Sequence, residues 1–175
     1  MFVRKEENML CEKVLGTLRD EKFQGLRVDY VDIEWHEAFS RLHRRISREG
    51  DDVGIRMGND VLRDGLRQDD VIYADSEKVI AVNIPPCEAI RAAVRQDHPA
   101  QIAKLCYEVG NTHTTMFRGE DDFTFYTPYY EPLMEKLNKI HGVSAEKVMM
   151  KFDFCLLYTS PSPRDLSTSR MPSSA

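Results

Sequence analysis

The 175-residue sequence predicts an α+β protein in two parts, a small all-β domain followed by a domain of βαββαβ order. Three observations carry that prediction. Short alternating apolar runs, cut by frequent turn signals, fill the chain to about residue 84. Pro85-Pro86 then breaks the ladder, because proline lacks the donor that a central strand needs. Beyond that break, strand-like runs alternate with helical stripes.

In the first part, residues 1–84, Leu26, Val28 and Tyr30 alternate with polar residues. Val31, Ile33 and Trp35 alternate one position out of phase, which predicts a bulge between the two sets. Val53, Ile55 and Met57 make the next alternation. Val71-Ile72-Tyr73 and Val79-Ile80-Ala81-Val82 are apolar runs of strand length. Glu49-Gly50-Asp51-Asp52, Gly58-Asn59-Asp60, Asp64-Gly65 and Asp75-Ser76 supply the turns between them. Many short strands with close turns predict a small sandwich or open barrel.

The second part, residues 85–154, opens with a strand from Glu88 to Val94. Asp97 is the candidate N-cap of a helix, with Pro99 in its first turn. Ile102, Leu105, Cys106 and Val109 fall at i, i+3, i+4 and i+7, the spacing of one buried helix face. Gly110 and Asn111 follow, the two residue types that best tolerate a left-handed cap. Thr114–Phe117 and Phe123–Thr127 read as strands joined through Gly119-Glu120-Asp121-Asp122. A second helix covers about Tyr129–His141, with Tyr130, Leu133, Leu137 and Ile140 on one face and Gly142 as its stop. Val148–Phe154 reads as the last strand, and the resulting order is that of a ferredoxin-like domain.

Residues 155–175 read as a disordered, non-native tail. Of the 17 residues Thr159–Ala175, 11 are Ser, Thr or Pro, too polar to bury the surface that ordering requires. The run from Cys155-Leu156-Leu157-Tyr158 onward resembles translated adapter sequence at the end of a truncated reading frame.

Composition narrows the function. A net charge of −5 disfavours a general nucleic-acid or acidic-membrane binder, since phosphate affinity rests on Lys and Arg. No apolar run approaches the roughly 20 residues that cross a bilayer. Cys11, Cys87, Cys106 and Cys155 are scattered, with neither zinc-site nor disulfide spacing, which points to a reducing, cytoplasmic compartment. An enzymatic reading finds little support. His36-Glu37-Ala38-Phe39 is followed by Ser40 rather than the second histidine of a metalloprotease helix, and no phosphate-binding glycine loop occurs. Phe123, Phe125 and Tyr126 could stack nucleic-acid bases, but they read more simply as strand and core residues.

Five histidines remain: His36, His43, His98, His113 and His141. His36 and His43 are seven residues apart beside Arg41, Arg44 and Arg45, which would repel a cation, and they read as surface residues. His98 reads as a helix-start residue. His141 sits near a helix C-terminus, where it favours the dipole and offers a secondary ligand. His113 stands immediately beyond a capped helix, so its imidazole is aimed outward with little slack.

Leu105-Cys106-Tyr107-Glu108-Val109-Gly110-Asn111-Thr112-His113 resembles the signature of the urease accessory nickel chaperone family, UreE. In that family a helix ending in Tyr-x-x-Gly-Asn-Arg-His carries the metal-binding histidine. Val14-Leu15-Gly16, the run Arg44–Gly50, Val53-Gly54-Ile55 and Leu62-Arg63-Asp64-Gly65 are similar to its N-terminal β domain. Phe125-Tyr126, with a helix starting near Pro128, is similar to its second domain, so the resemblance spans about residues 11–154. Thr112 departs from the family's arginine, and the family's frequent His-rich C-terminal stretch is absent.

The resemblance implies a nickel-binding protein without turnover that delivers Ni2+ to apo-urease through an accessory GTPase. His113 would be the metal ligand, supported by a turn at Gly110 and Asn111. A homodimer would place two copies of His113 across its axis, with water or a histidine such as His141 completing the ion's shell. The β domain would engage protein partners; neither nucleic acid nor membrane is expected among them. The alternative is a protein-interaction or co-chaperone module without functional metal transfer.

Overall fold

A computed structural model describes residues 9–157, and the tail assignment for 158–175 lies outside those residues. The chain divides into two compact units, Met1–Pro85 and Pro86–Ala175.

The first unit is built from β1 (Met9–Cys11), β2 (Gly16–Thr17), β3 (Arg27–Asp32), β4 (Leu42–Ile46), β5 (Asp52–Arg56), α1 (Val61–Asp64), β6 (Asp70–Ala74) and β7 (Lys78–Asn83). These strands form two sheets, one of order β1-β5-β4 and one of order β2-β6-β7-β3. From Val79 to Asn83, β7 is buried on both faces, which explains its continuous apolar run. Val31, Ile33, Val53, Ile55 and Leu66 are also buried.

The bulge expected between Tyr30 and Val31 is not there. β3 pairs with β7 without interruption from Arg27 opposite Lys78 to Asp32 opposite Asn83. The phase change arises because Asp29, not Val28, lies on the buried face beside Val31. Its Oδ1 accepts from the backbone N–H of Tyr30 (2.7 Å) and of Glu49 (3.2 Å), so an acid occupies a core position. The irregularity of this sheet falls instead on β6, between Val71 and Tyr73. β4 carries no apolar alternation. Its pairing with β5 and the Arg44–Asp52 and Arg45–Glu37 ion pairs, 2.5 and 2.6 Å, hold it.

The second unit comprises β8 (Cys87–Val94), α2 (Gln101–Asn111), β9 (Phe117–Arg118), β10 (Thr124–Pro128), α3 (Glu131–Asn138) and β11 (Val143–Met150). The sheet order is β11-β8-β10-β9, antiparallel throughout. Numbered within the unit that is 4-1-3-2, the ferredoxin-like arrangement. Both helices cover one face. Leu105 and Val109 of α2, Leu133 and Leu137 of α3, Ile90, Ala92 and Val94 of β8, and Phe125 of β10 make its core.

Several boundaries differ from the sequence expectation. The second helix, expected over about Tyr129–His141, is Glu131–Asn138, with Tyr130 exposed at its N-cap. Thr114–Phe117 shortens to the two-residue β9. The last strand is Val143–Met150 rather than Val148–Phe154. It is an edge strand with Ser144 and Glu146 exposed, so its apolar signal is weak, and eight backbone pairings with β8 decide it. Phe152 instead stacks on Phe117, with ring centroids 4.2 Å apart. Residues 154–156, the last two of them assigned to the tail, make a short 3-10 turn, and Leu157 bridges to Phe117. Finally, Asp97 does not cap α2. Ala100 occupies that position, and Asp97 turns to Arg95 and His98.

Candidate metal centre

The local structure around His113 departs from expectation in a way that matters. Gly110 and Asn111 do not form the turn; both belong to the last turn of α2. The backbone leaves the helix at Thr112 (φ −88°), and His113 itself takes the left-handed conformation (φ +54°). The Thr112 and His113 N–H groups donate to the carbonyls of Val109 and Gly110, at 3.1 and 3.0 Å, closing the helix end. Thr112 Oγ1 donates to Val109 O at 2.7 Å and lies 2.8 Å from Thr114 Oγ1, which pins the turn.

Glycine usually fills this left-handed position, because a Cβ there costs roughly 1–2 kcal/mol. Here a histidine fills it and is exposed. Strain of this kind persists where the surrounding structure holds it, and it is concentrated at functional sites. The helix surface leading to His113 is open along Ala103, Lys104, Tyr107, Gly110 and Asn111, with Tyr107 67% exposed and Lys104 adding one positive charge. A Cβ on Gly110 would meet nothing within 4 Å.

The other histidines are placed elsewhere. His36 is exposed, edge-on to Trp35. His43, read as a surface residue, is half-buried on β4, and its Nε2 donates to Ser40 O at 2.9 Å. Burial pushes its pKa down. His141 does not reach His113 within one chain. It packs against His98, with centroids 4.7 Å apart, at the start of α2, whereas His113 follows its end. An 11-residue helix is ~16 Å long, far beyond shared coordination. Among the described residues no three His, Cys, Asp or Glu side chains gather to hold an ion. Burial pushes the Cys11 thiol up to about 11 and raises that of Cys106, which suits packing rather than ligation.

A helix that ends by presenting a strained, exposed imidazole, in the second of two units, can now be set beside known proteins. A family model described as the UreE urease accessory protein N-terminal domain matches residues 11–85. The urease accessory protein UreE of Helicobacter acinonychis (strain Sheeba) is 37% identical over 145 residues, 83% of each chain. That of Helicobacter pylori (strain Shi470) matches to the same extent. The chain belongs to the UreE family. The UreE of Acetivibrio thermocellus is 38% identical over 143 residues, covering 82% of this chain and 88% of that one. Membership in the UreE family places this chain among the urease accessory proteins. No helix among the described residues is long and apolar enough to cross a membrane.

Proposed function

We propose that this protein is a nickel metallochaperone that carries Ni2+ to apo-urease during assembly of its metallocentre, with His113 as the ligand. The observation that carries the reading is the position of His113: exposed, in the left-handed cap of α2, at the end of the family's signature helix. Nickel favours imidazole nitrogen and takes four to six ligands, so one histidine is too few. A two-fold homodimer brings a second His113 to the same ion, and water fills the remaining positions. The open stripe of Ala103, Tyr107, Gly110 and Asn111 supports that contact. Gly110 keeps the stripe flat at its closest point. An incomplete shell suits a carrier, because an acceptor's ligands can enter before the donor's leave. The accessory GTPase and apo-urease are the acceptors, in the cytoplasm.

A nickel titration by calorimetry at pH 7.5, with sedimentation of the same samples, tests this. About half an ion per chain in a tight phase, on a dimer, and loss of that phase in His113→Ala are expected. A tight phase that survives the substitution places the ligands elsewhere and ends the proposal. Only neutral imidazole binds metal, so the tight phase weakens from pH 7.5 to pH 5.5.

One observation favours a second role for the first unit. Leu10, Leu42 and Ile46 share the outer face of the β1-β5-β4 sheet and are 56, 69 and 64% exposed. Gly54 lies between Leu10 and Arg44 in register. Arg44, Arg56 and Asp52 share that face, and such a mixture of exposed apolar side chains and ion pairs suits contact with a protein partner.

A further inference from the structure

The antiparallel pairing of β8 with β11 sets Val94 opposite Val143, and the Arg95 N–H donates to Gly142 O at 2.8 Å. The chain that leaves β8 therefore meets the chain that enters β11. His98 and His141, distant in sequence, come together there, with ring centroids 4.7 Å apart and planes at 65°. The approach depends on Gly142, at φ +82°, where a Cβ would lie 3.0 Å from His98 Cβ and Cγ. The turn is fixed from the other side as well, by His98 N–H to Arg95 O (2.9 Å) and Gln101 N–H to His98 O (3.0 Å).

We propose that His98 and His141 form a second cation site, a two-imidazole seat for a borderline divalent ion of the nickel and zinc kind, at the opposite end of α2 from His113. With metal–nitrogen bonds of ~2.1 Å, each ring centroid lies ~3.2 Å from the ion, so two ligands at about 90° put the centroids ~4.6 Å apart. The observed spacing fits that arrangement. His98 Nδ1 is buried and 2.8 Å from Asp97 Oδ1, although not aligned for a hydrogen bond. Asp97 lies on the Nδ1 side of the ring, so Nε2 is the nitrogen offered to the ion, and a proton on Nδ1 is the tautomer that leaves its lone pair free. Two protein ligands and water make a weaker site than a four-ligand centre, suited to transient occupation. The site does not depend on His113 being a ligand.

The test uses the full chain carrying His113→Ala, titrated with nickel(II) and separately with zinc(II). Binding is followed by calorimetry and by paramagnetic broadening of backbone amide signals. Expected is one weak ion per chain, with nickel broadening centred on residues 97–99 and 140–143. His141→Gln, an exposed change that spares the fold, abolishes that binding. His98→Gln does the same. No binding, broadening centred elsewhere, or binding unchanged in His141→Gln overturns the site. In the otherwise unchanged chain, loss of the tight phase on His113→Ala reports on the other centre, so failures of the two proposals are told apart.

Discussion

At the scale of the residue, His113 combines a cost and a task. Its φ of +54° is a glycine conformation held by a side chain with chemistry to offer. His113→Gly should therefore unfold at a temperature no lower than His113→Ala, because removing Cβ strain of roughly 1–2 kcal/mol offsets glycine's extra unfolded-state freedom of about 0.5–1 kcal/mol. Both substitutions remove the tight nickel phase. Thermal melts of the two variants decide the point, and a lower midpoint for glycine would mean that the left-handed cap is not populated in solution. His43 gives a second prediction, in pH. Burial lowers its folded pKa and outweighs the hydrogen bond that Nε2 donates to Ser40 O, which acts to raise it. The unfolded chain therefore protonates first. The contribution of His43 is complete above the ordinary histidine value of about 6.5 and is lost as pH falls below it toward the depressed folded value. Melts at pH 7.5 and pH 5.5 should show a loss that His43→Gln reduces.

At the scale of the element, α2 is the part that places the site. Its buried face was legible from the spacing of Leu105, Cys106 and Val109, and the structure buries Leu105 and Val109 completely or nearly so. Its end lies beyond the expected stop, at a cap on Thr112. Gly110-Asn111 is the usual signal for a helix stop, yet the bonds from Thr112 and His113 back to Val109 and Gly110 carry the helix past it. Gly110 is thus an interior helix residue with open space where a Cβ would be. Gly110→Ala should raise the stability of the isolated chain by about 0.5–1 kcal/mol, as expected for helix interiors. If two copies of α2 pack there, the same substitution weakens the dimer and its nickel binding. Denaturation and sedimentation, read together, separate a gain in the fold from a loss at the interface. β11 shows the opposite limit. An exposed edge strand has little apolar pattern to read, and its register came from backbone pairing with β8.

At the scale of the molecule, the chain forms two compact units. The β10 phenylalanine, both helices and β8 close one core within the second unit. A chain cut to residues 86–157 should fold and retain the tight nickel phase, while residues 9–85 should show none. Circular dichroism and calorimetry on the two pieces check this; nickel binding confined to residues 9–85, the first piece in chain order, would reverse the assignment. The outer face that carries Leu42 and Ile46 belongs to that first piece, so partner contact should follow it.

The sequence by itself determined the α+β class, the break at the proline pair, the helical stripes and the singular position of His113. Each of these is a local property: an alternation, a missing donor, a 3.6-residue period, a residue set against a cap. Only the tertiary structure decided that Asp29 is a core residue, where one oxygen of its carboxylate accepts from an N–H twenty residues away. It also decided the register of β11, and that His141 meets His98 rather than His113. Those facts depend on which strand lies beside which, and the hydrogen bonds that settle it join residues too distant in the chain for any local pattern to record.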